Sequence, residues 1–326
     1  MRIRIWGARG SLPYSMTSDL VKTKIKGALT AAIEQGLHDV LAIDDFIERQ
    51  LPFPIKGAYG GNTPCVEIIG GEGRTICDAG SGLRDLGSRY LQSELPQPSD
   101  GEKRFHLFIS HLHWDHLQGF PFFVPAYLPG FQIDIYGGHQ DLENAFRRQM
   151  EHPFFPVRFD DLRSTIAFHQ LEAGREYAIG GFQVTVQKQQ HPGDSYGFRF
   201  KAGETIAVYS TDSEHQSEAD QPDYGFLDFI RNADALVMDT QYTAQEAMDT
   251  KLHWGHSHSL VGVELANRAG VKRLILFHHD PRLDDFQIED NQDRARKYLR
   301  LMNPSSRLEI AAAYEGMEIE LQVQST

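Results

Sequence analysis

The chain has 326 residues, 40% of them apolar, and a formal net charge of −13. No apolar run approaches the roughly 18 residues that a membrane-spanning helix needs, so no membrane partner is expected. An acidic chain without a Lys/Arg run lacks the basic patch by which long nucleic acid is gripped, and two cysteines, Cys65 and Cys77, are too few for a disulfide scaffold and fit a reducing cytoplasm.

Met1–Trp6 alternates polar and apolar residues and predicts a strand; it shows neither the basic start nor the apolar core of a signal peptide. Residues 14–58 break that pattern. Val21, Ile25, Leu29 and Ile33 recur every four residues, as do Ile43, Ile47 and Leu51, before Pro52 and Pro54 close the segment. This is helical spacing, so 14–58 reads as a helical insertion, whether surface elaboration, lid or dimer contact. Strands are expected at 65–69 and 74–78 around the hairpin signal Gly70-Gly71-Glu72-Gly73, then a helix near 83–93. The short apolar run 105–109 reads as a buried strand ending at Ser110. Further strands are expected at 131–136, 164–169, 182–188, 196–201, 205–209, 234–239 and 272–277, and helices near 139–150, 258–269 and 286–301. Two strand-rich stretches, each with helices, predict an α/β architecture of two sheets covered by helices, with 1–326 as one domain.

The richest motif is Ser110-His111-Leu112-His113-Trp114-Asp115-His116. Imidazole suits zinc and other late divalent metals, and carboxylate is a harder companion ligand. His111 and His113 sit two apart, so an extended backbone aims both at one ion, while a turn sends the adjacent Asp115 and His116 toward another. Three more candidates stand where strands end: His191 before Pro192-Gly193, Asp212 after the run 206–211, and His278 after Leu274-Ile275-Leu276-Phe277. A rigid strand end is where a scaffold presents polar groups to a cleft. His279 adjoins His278, and His278 is preferred because it comes first after the strand.

This set resembles the metallo-β-lactamase superfamily. The resemblance covers nearly the whole chain except 14–58 and implies an αββα sandwich holding two divalent metal ions, Zn²⁺ or Mn²⁺. By that resemblance His111, His113 and His191 hold one metal, Asp115, His116 and His278 hold the second, and Asp212 bridges them. Asp78 is expected to accept a ligand histidine's N–H. Trp254-Gly255-His256-Ser257 looks like the Gly-His-Ser segment of the ribonuclease Z-like phosphodiesterase branch, in which the histidine assists the leaving group. His256 is the candidate, with His258 and His253 as competitors. The stretches Arg4–Ser11, Tyr59–Cys65, Asp78–Gly82, Gln118–Phe123 and Phe277–Pro281 are similar to the cyclic-nucleotide phosphodiesterase group, commonly homodimers.

The implied chemistry is displacement at a small phosphodiester, a 3′,5′-cyclic nucleotide, by metal-bound hydroxide, with Asp115 and His256 catalytic. Asn62, Trp114 and Phe120 are expected on the substrate, the aromatic side chains as stacking faces, although they also suit a core beneath the metal loop. Three other readings compete: a ribonuclease Z-type nuclease, a thioester, lactone or β-lactam hydrolase of the same fold, and a non-enzymatic sensor on a degenerate version of it.

Overall fold

The computed structural model describes residues 1–93, 103–243, 246 and 253–321. The chain starts with β1 (Arg2–Gly7) and then leaves the sheet for α1 (Ser18–Glu34), α2 (Ile43–Gln50) and α3 (Phe53–Lys56). The hairpin β2 (Cys65–Ile69) and β3 (Arg74–Cys77) follows, then α4 (Gly82–Ser93), β4 (Arg104–Ile109), β5 (Gln132–Gly137), α5 (Leu142–Arg148) and β6 (Thr165–Gln170). The second half supplies β7 (Glu176–Ile179), β8 (Phe182–Gln189), β9 (Ser195–Ala202), β10 (Thr205–Ser210), α6 (Gly225–Ile230) and β11 (Ala235–Asp239). It ends with α7 (Ser259–Arg268), β12 (Arg273–Phe277), α8 (Asp285–Met302), β13 (Glu309–Ala312) and β14 (Glu318–Glu320). The short strands β7, β13 and β14 were not expected from the sequence, because three or four residues carry too little alternation to stand out.

The strands form two seven-stranded sheets, ordered β14-β1-β2-β3-β4-β5-β6 and β13-β12-β11-β10-β9-β8-β7. Period-two alternation decides which side chains meet. On β4, Phe108 faces the other sheet and packs on Phe198 and Phe200, whereas Phe105, Leu107 and Ile109 face α4 and Phe123. On β10, Ala207 and Tyr209 point into the sandwich and Val208 points out toward α6 and α7. Central strands covered on both faces must be apolar on both, and β4 and β12 are near-continuous apolar runs for that reason. The result is helix–sheet–sheet–helix, as the sequence predicts.

Strand direction places the site. β3 and β4 run parallel, as do β10, β11 and β12, and β8 is antiparallel to β9, which is antiparallel to β10. The loops after β8, β10, β11 and β12 therefore leave one edge of the second sheet, and those after β3 and β4 leave one edge of the first.

The insertion is helical as expected, but its apolar stripe faces outward. Val21, Ile25, Leu29 and Ile33 are exposed, while Leu20 and Lys24 are buried. The buried Lys24 ammonium settles which side turns inward. It donates to the carbonyls of Pro54 and Gly57, at 2.5 and 2.7 Å, and pairs with Asp285 at 2.5 Å. A charge that finds two carbonyls and a carboxylate keeps its desolvation cost offset, and α1 is rotated to suit it.

Candidate active site

The seven expected ligand residues converge at the strand ends. His111, His113, His191 and Asp212 place one ligand atom each within 4.8 Å of one another, and Asp115, His116 and His278 do the same. The two oxygens of Asp212 divide between these groups. Oδ1 lies 3.2 Å from His278 Nε2 and 3.3 Å from His116 Nε2; Oδ2 lies 3.5 Å from His111 Nε2 and 3.7 Å from His191 Nε2. That is the geometry of a carboxylate shared by two cations. On the second side Asp115 Oδ2 stands 3.2 Å from His116 Nε2 and 3.4 Å from His278 Nε2.

Four of the five rings are held through the nitrogen that faces away from the cluster, which leaves the other nitrogen turned into it. His116 Nδ1 donates to Asp78 Oδ2 at 2.7 Å and His191 Nδ1 to the Gly255 carbonyl at 2.8 Å. His278 Nδ1 donates to Gln241 Oε1 at 3.1 Å. The Ser110 hydroxyl donates to Asp78 Oδ2, so it accepts from His111 Nδ1 at 3.1 Å. His113 instead turns Nδ1 inward, 3.1 Å from His191 Nε2, a spacing met either by an N–H···N hydrogen bond between the rings or by a cation they share. Nε2 of His111 and of His116 are buried and make no hydrogen bond of acceptable geometry. Buried orphan nitrogens facing carboxylates fit a divalent cation on each side of Asp212.

The electrostatics agree. Burial holds the His111, His113 and His191 imidazoles below their usual range, keeping them neutral as ligands must be. Burial opposes ionisation of Asp115 and Asp212, yet the neighbouring histidines outweigh it and hold both carboxyls well below the usual range. Burial likewise opposes charge on His116, but Asp115, Asp212 and Asp78 together push it well above its ordinary value. A pocket of carboxylates that forces a proton onto a fully buried histidine is one that demands positive charge.

Backbone strain gathers here too. Asp78, Asp212 and His278 all adopt positive φ, at 62°, 47° and 62°. Each stands one or two residues beyond a strand, and the left-handed turn swings its side chain across the sheet edge; such strain, about 1–3 kcal/mol per residue, is stored where function requires it. Gly255, at φ 85°, has no such penalty, and a Cβ there would lie 2.3 Å from His191 Nδ1.

His256 sits beside this cluster. Its Nδ1 donates to Asp239 Oδ2 at 2.8 Å and lies 3.8 Å from Asp212 Oδ2. Burial lowers its affinity for a proton, but Asp239 raises it further, and the ring is pushed up to about 9. The competitors are placed elsewhere: His258 Nδ1 accepts from Val261 N–H as the cap of α7, and His253 Nδ1 accepts from Gln216. His279 is buried, with Nε2 donating to the Ala313 carbonyl, which leaves His278 at the cluster.

Two expected substrate contacts are corrected. Phe120 is fully buried and packs edge-on against Phe146 at 4.8 Å, because it belongs to the apolar layer over the first sheet. Asn62 spends both ends of its amide on the protein, donating to Asp85 and accepting from the Ser81 hydroxyl, so it braces loops. Trp114 is 64% exposed beside Asp115. The sequence reading missed Asp239, whose only signal was a carboxylate at the end of an apolar strand. It also missed Gln241 and Glu214; Glu214 accepts the N–H groups of His253 and Gly255 and so holds the segment bearing His256.

A family model described as "Beta-lactamase superfamily domain" matches residues 74–279. The ribonuclease Z of Exiguobacterium sibiricum is 24% identical over 247 residues, covering 62% of this chain and 80% of that protein. The metallo-beta-lactamase fold protein YhfI from Bacillus subtilis superposes with a TM-score of 0.62 at 19% identity, over 98% of both chains. The short form of human tRNase Z gives 0.58 at 17% identity, over 99% of this chain and 100% of that one.

Proposed function

We propose that this chain, which belongs to the beta-lactamase superfamily in its ribonuclease Z-like branch and is a metal-dependent hydrolase, cleaves a small phosphodiester, a 3′,5′-cyclic nucleotide. The observation that carries this reading is the His256–Asp239 pair set against the shared carboxylate of Asp212. Opening a cyclic phosphate expels a ribose alkoxide, a poor leaving group that needs a proton, whereas a thiolate leaving from a thioester does not. The net charge of −13 favours a small substrate over a long polyanion.

His111, His113 and His191 would hold one divalent ion and Asp115, His116 and His278 the other, with Asp212 between them. Zinc suits this nitrogen-rich set and manganese is the alternative. Bound there, the ions supply an acidified water and offset charge on the phosphoryl oxygens. The residues do the rest. The Ser11 N–H donates to Asp115 Oδ2 at 2.7 Å and fixes the carboxylate that orients the attacking water. Asp239 keeps a proton on His256 Nδ1, so Nε2 is the atom that hands a proton to the departing ribose oxygen.

The likeness to ribonuclease Z favours a second reading, 3′ processing of precursor RNA. Purified protein loaded with zinc or manganese is assayed against 3′,5′-cyclic purine and pyrimidine nucleotides and against a precursor tRNA. Turnover of a cyclic nucleotide supports the first reading; cleavage of the tRNA alone replaces it with the second.

The finer expectations stand on the same footing. One domain spans the chain with 14–58 inserted. The outward stripe on α1 supports a homodimer, since four aliphatic side chains in line along a helix are the kind of face a second copy covers. Two buried thiols, Cys65 and Cys77, support a cytoplasmic location, and no helix among the described residues is long and apolar enough to cross a membrane.

A further inference from the structure

We infer that the Ser11 hydroxyl is a substrate contact that donates to a phosphoryl oxygen held beside Asp115 and His278, an inference that rests on the phosphodiesterase reading and adds a binding residue to its site. Ser11 is tied to both of those residues. Its N–H donates to Asp115 Oδ2 at 2.7 Å. Its Oγ accepts from Gln241 Nε2 at 3.3 Å, and Gln241 Oε1 accepts from His278 Nδ1 at 3.1 Å. Because His278 turns Nε2 to the cluster, its Nδ1–H decides which way the Gln241 amide points. The amide therefore offers Ser11 a donor, which occupies a lone pair of the hydroxyl and leaves its proton free. Among the described residues Ser11 Oγ donates to none. The side chain is exposed, whereas Asp115 and His278 behind it are buried.

The backbone holds that hydroxyl in place. Ser11 has φ 61°, and the Leu12 N–H donates across it to the Gly10 carbonyl at 2.7 Å, a three-residue turn with Ser11 at its apex. Turns of this hand are rare and strained, and such strain persists only where the surroundings fix it. Here they do. The Gly10 N–H donates to the His279 carbonyl at 2.9 Å, and the buried Arg9 guanidinium donates to the carbonyls of Gly60 and Leu283 at 2.9 and 2.7 Å. Gly10 lies against the His278 ring, where a Cβ would stand 2.4 Å from Nδ1, so only glycine brings the turn this close to the cluster. A donor already fixed in position costs little entropy when a ligand meets it. What it recognises is an acceptor oxygen on a group bound at the cluster, and in a phosphodiester that is a charged non-bridging oxygen.

The experiment uses the zinc-loaded full chain and two variants. Ser11→Gly accepts φ 61° without steric cost and keeps the N–H on Asp115, while Ser11→Ala keeps the Cβ that limits backbone freedom. Inorganic phosphate and azide, a metal-binding anion with no oxygen, are titrated calorimetrically against each protein. Zinc content is followed by mass spectrometry, and kcat/KM is measured on a 3′,5′-cyclic nucleotide. Losing a hydrogen bond to a charged oxygen lowers phosphate affinity and kcat/KM roughly 10- to 150-fold in both variants, with azide affinity and zinc content as in wild type. Phosphate affinity equal to wild type overturns the contact, as does a wild type that binds no phosphate. Parallel losses of phosphate and azide, or loss of zinc, overturn it as well, because Ser11 would then act only through Asp115 and His278. If the wild type turns over no cyclic nucleotide the proposed function fails, and the phosphate and azide titrations still decide the Ser11 contact by themselves.

Discussion

Replacing Asp239 by Asn removes one charge and almost no volume, which isolates what that carboxylate does for His256. Asp239 is fully buried at the end of β11. Its Oδ2 accepts His256 Nδ1–H at 2.8 Å and Ser213 N–H at 3.3 Å, and its Oδ1 accepts Gln241 N–H at 3.0 Å. The amide can accept on one side only and must offer N–H groups on the other. A hydrogen bond to a buried charge is worth about 1.5–3 kcal/mol, so losing it where it holds the proton of the general acid lowers kcat roughly 10- to 150-fold. Deleting the acid outright, His256→Ala, costs more, about 10²- to 10⁴-fold. The assay compares a 3′,5′-cyclic nucleotide with bis(p-nitrophenyl) phosphate, whose phenolate departs without a proton, and follows metal content by mass spectrometry. The cyclic nucleotide suffers the full loss and the activated diester far less. Without the Asp239 charge His256 falls from about 9 toward its ordinary value, so the alkaline limb of kcat moves to lower pH. Equal losses on both substrates, or release of metal, would refute the reasoning and make Asp239 a ligand, a role its closeness to Asp212, His256 and His278 permits.

Asp78→Ala unties His116, Ser110 and Tyr209 at once and should weaken metal binding about 10- to 100-fold in a chelator competition; unaltered affinity would show that the tie is dispensable. His215 is held at about 4 by burial, against the partial opposition of Asp239. The unfolded chain therefore takes up a proton that the folded chain refuses between about pH 6.5 and 4, and stability falls as pH drops through that window. The loss is about 2 kcal/mol by pH 5, read as a fall in the urea midpoint of metal-free protein that His215→Asn flattens; an identical pH slope in the variant would count against it. On the insertion, Ile25→Glu with Leu29→Glu places charge on side chains already 54% and 59% exposed. The wild type should sediment as a dimer and the variant as a folded monomer, and a monomeric wild type would remove the dimer proposal.

The candidate metal cluster was legible in the sequence because its donors are crowded: three histidines and an aspartate within six residues have few other uses, while Asp212 and His278 stand just beyond apolar runs and His191 at a strand-to-turn junction. The same local logic established the strands and their covering helices, since alternation of period two and spacing of four are properties of the chain alone. Asp239 was not legible as a partner of His256, because one carboxylate at a strand end looks like any other until the strand beside it is known. Phe120 was assigned to the substrate from its nearness in sequence to the histidine-rich motif and Asn62 from the family-like stretch Tyr59–Cys65, but the Phe120 side chain turns into the core and the Asn62 amide bonds Asp85 and Ser81. Periodicity gave α1 its helix and not its orientation, which the buried Lys24 and Asp285 decided from 261 residues apart. Residue type and spacing determine what a segment can become and which chemistry it can carry. Which groups meet, and which face turns outward, depends on contacts between distant parts of the chain, and only the closed sandwich makes those contacts.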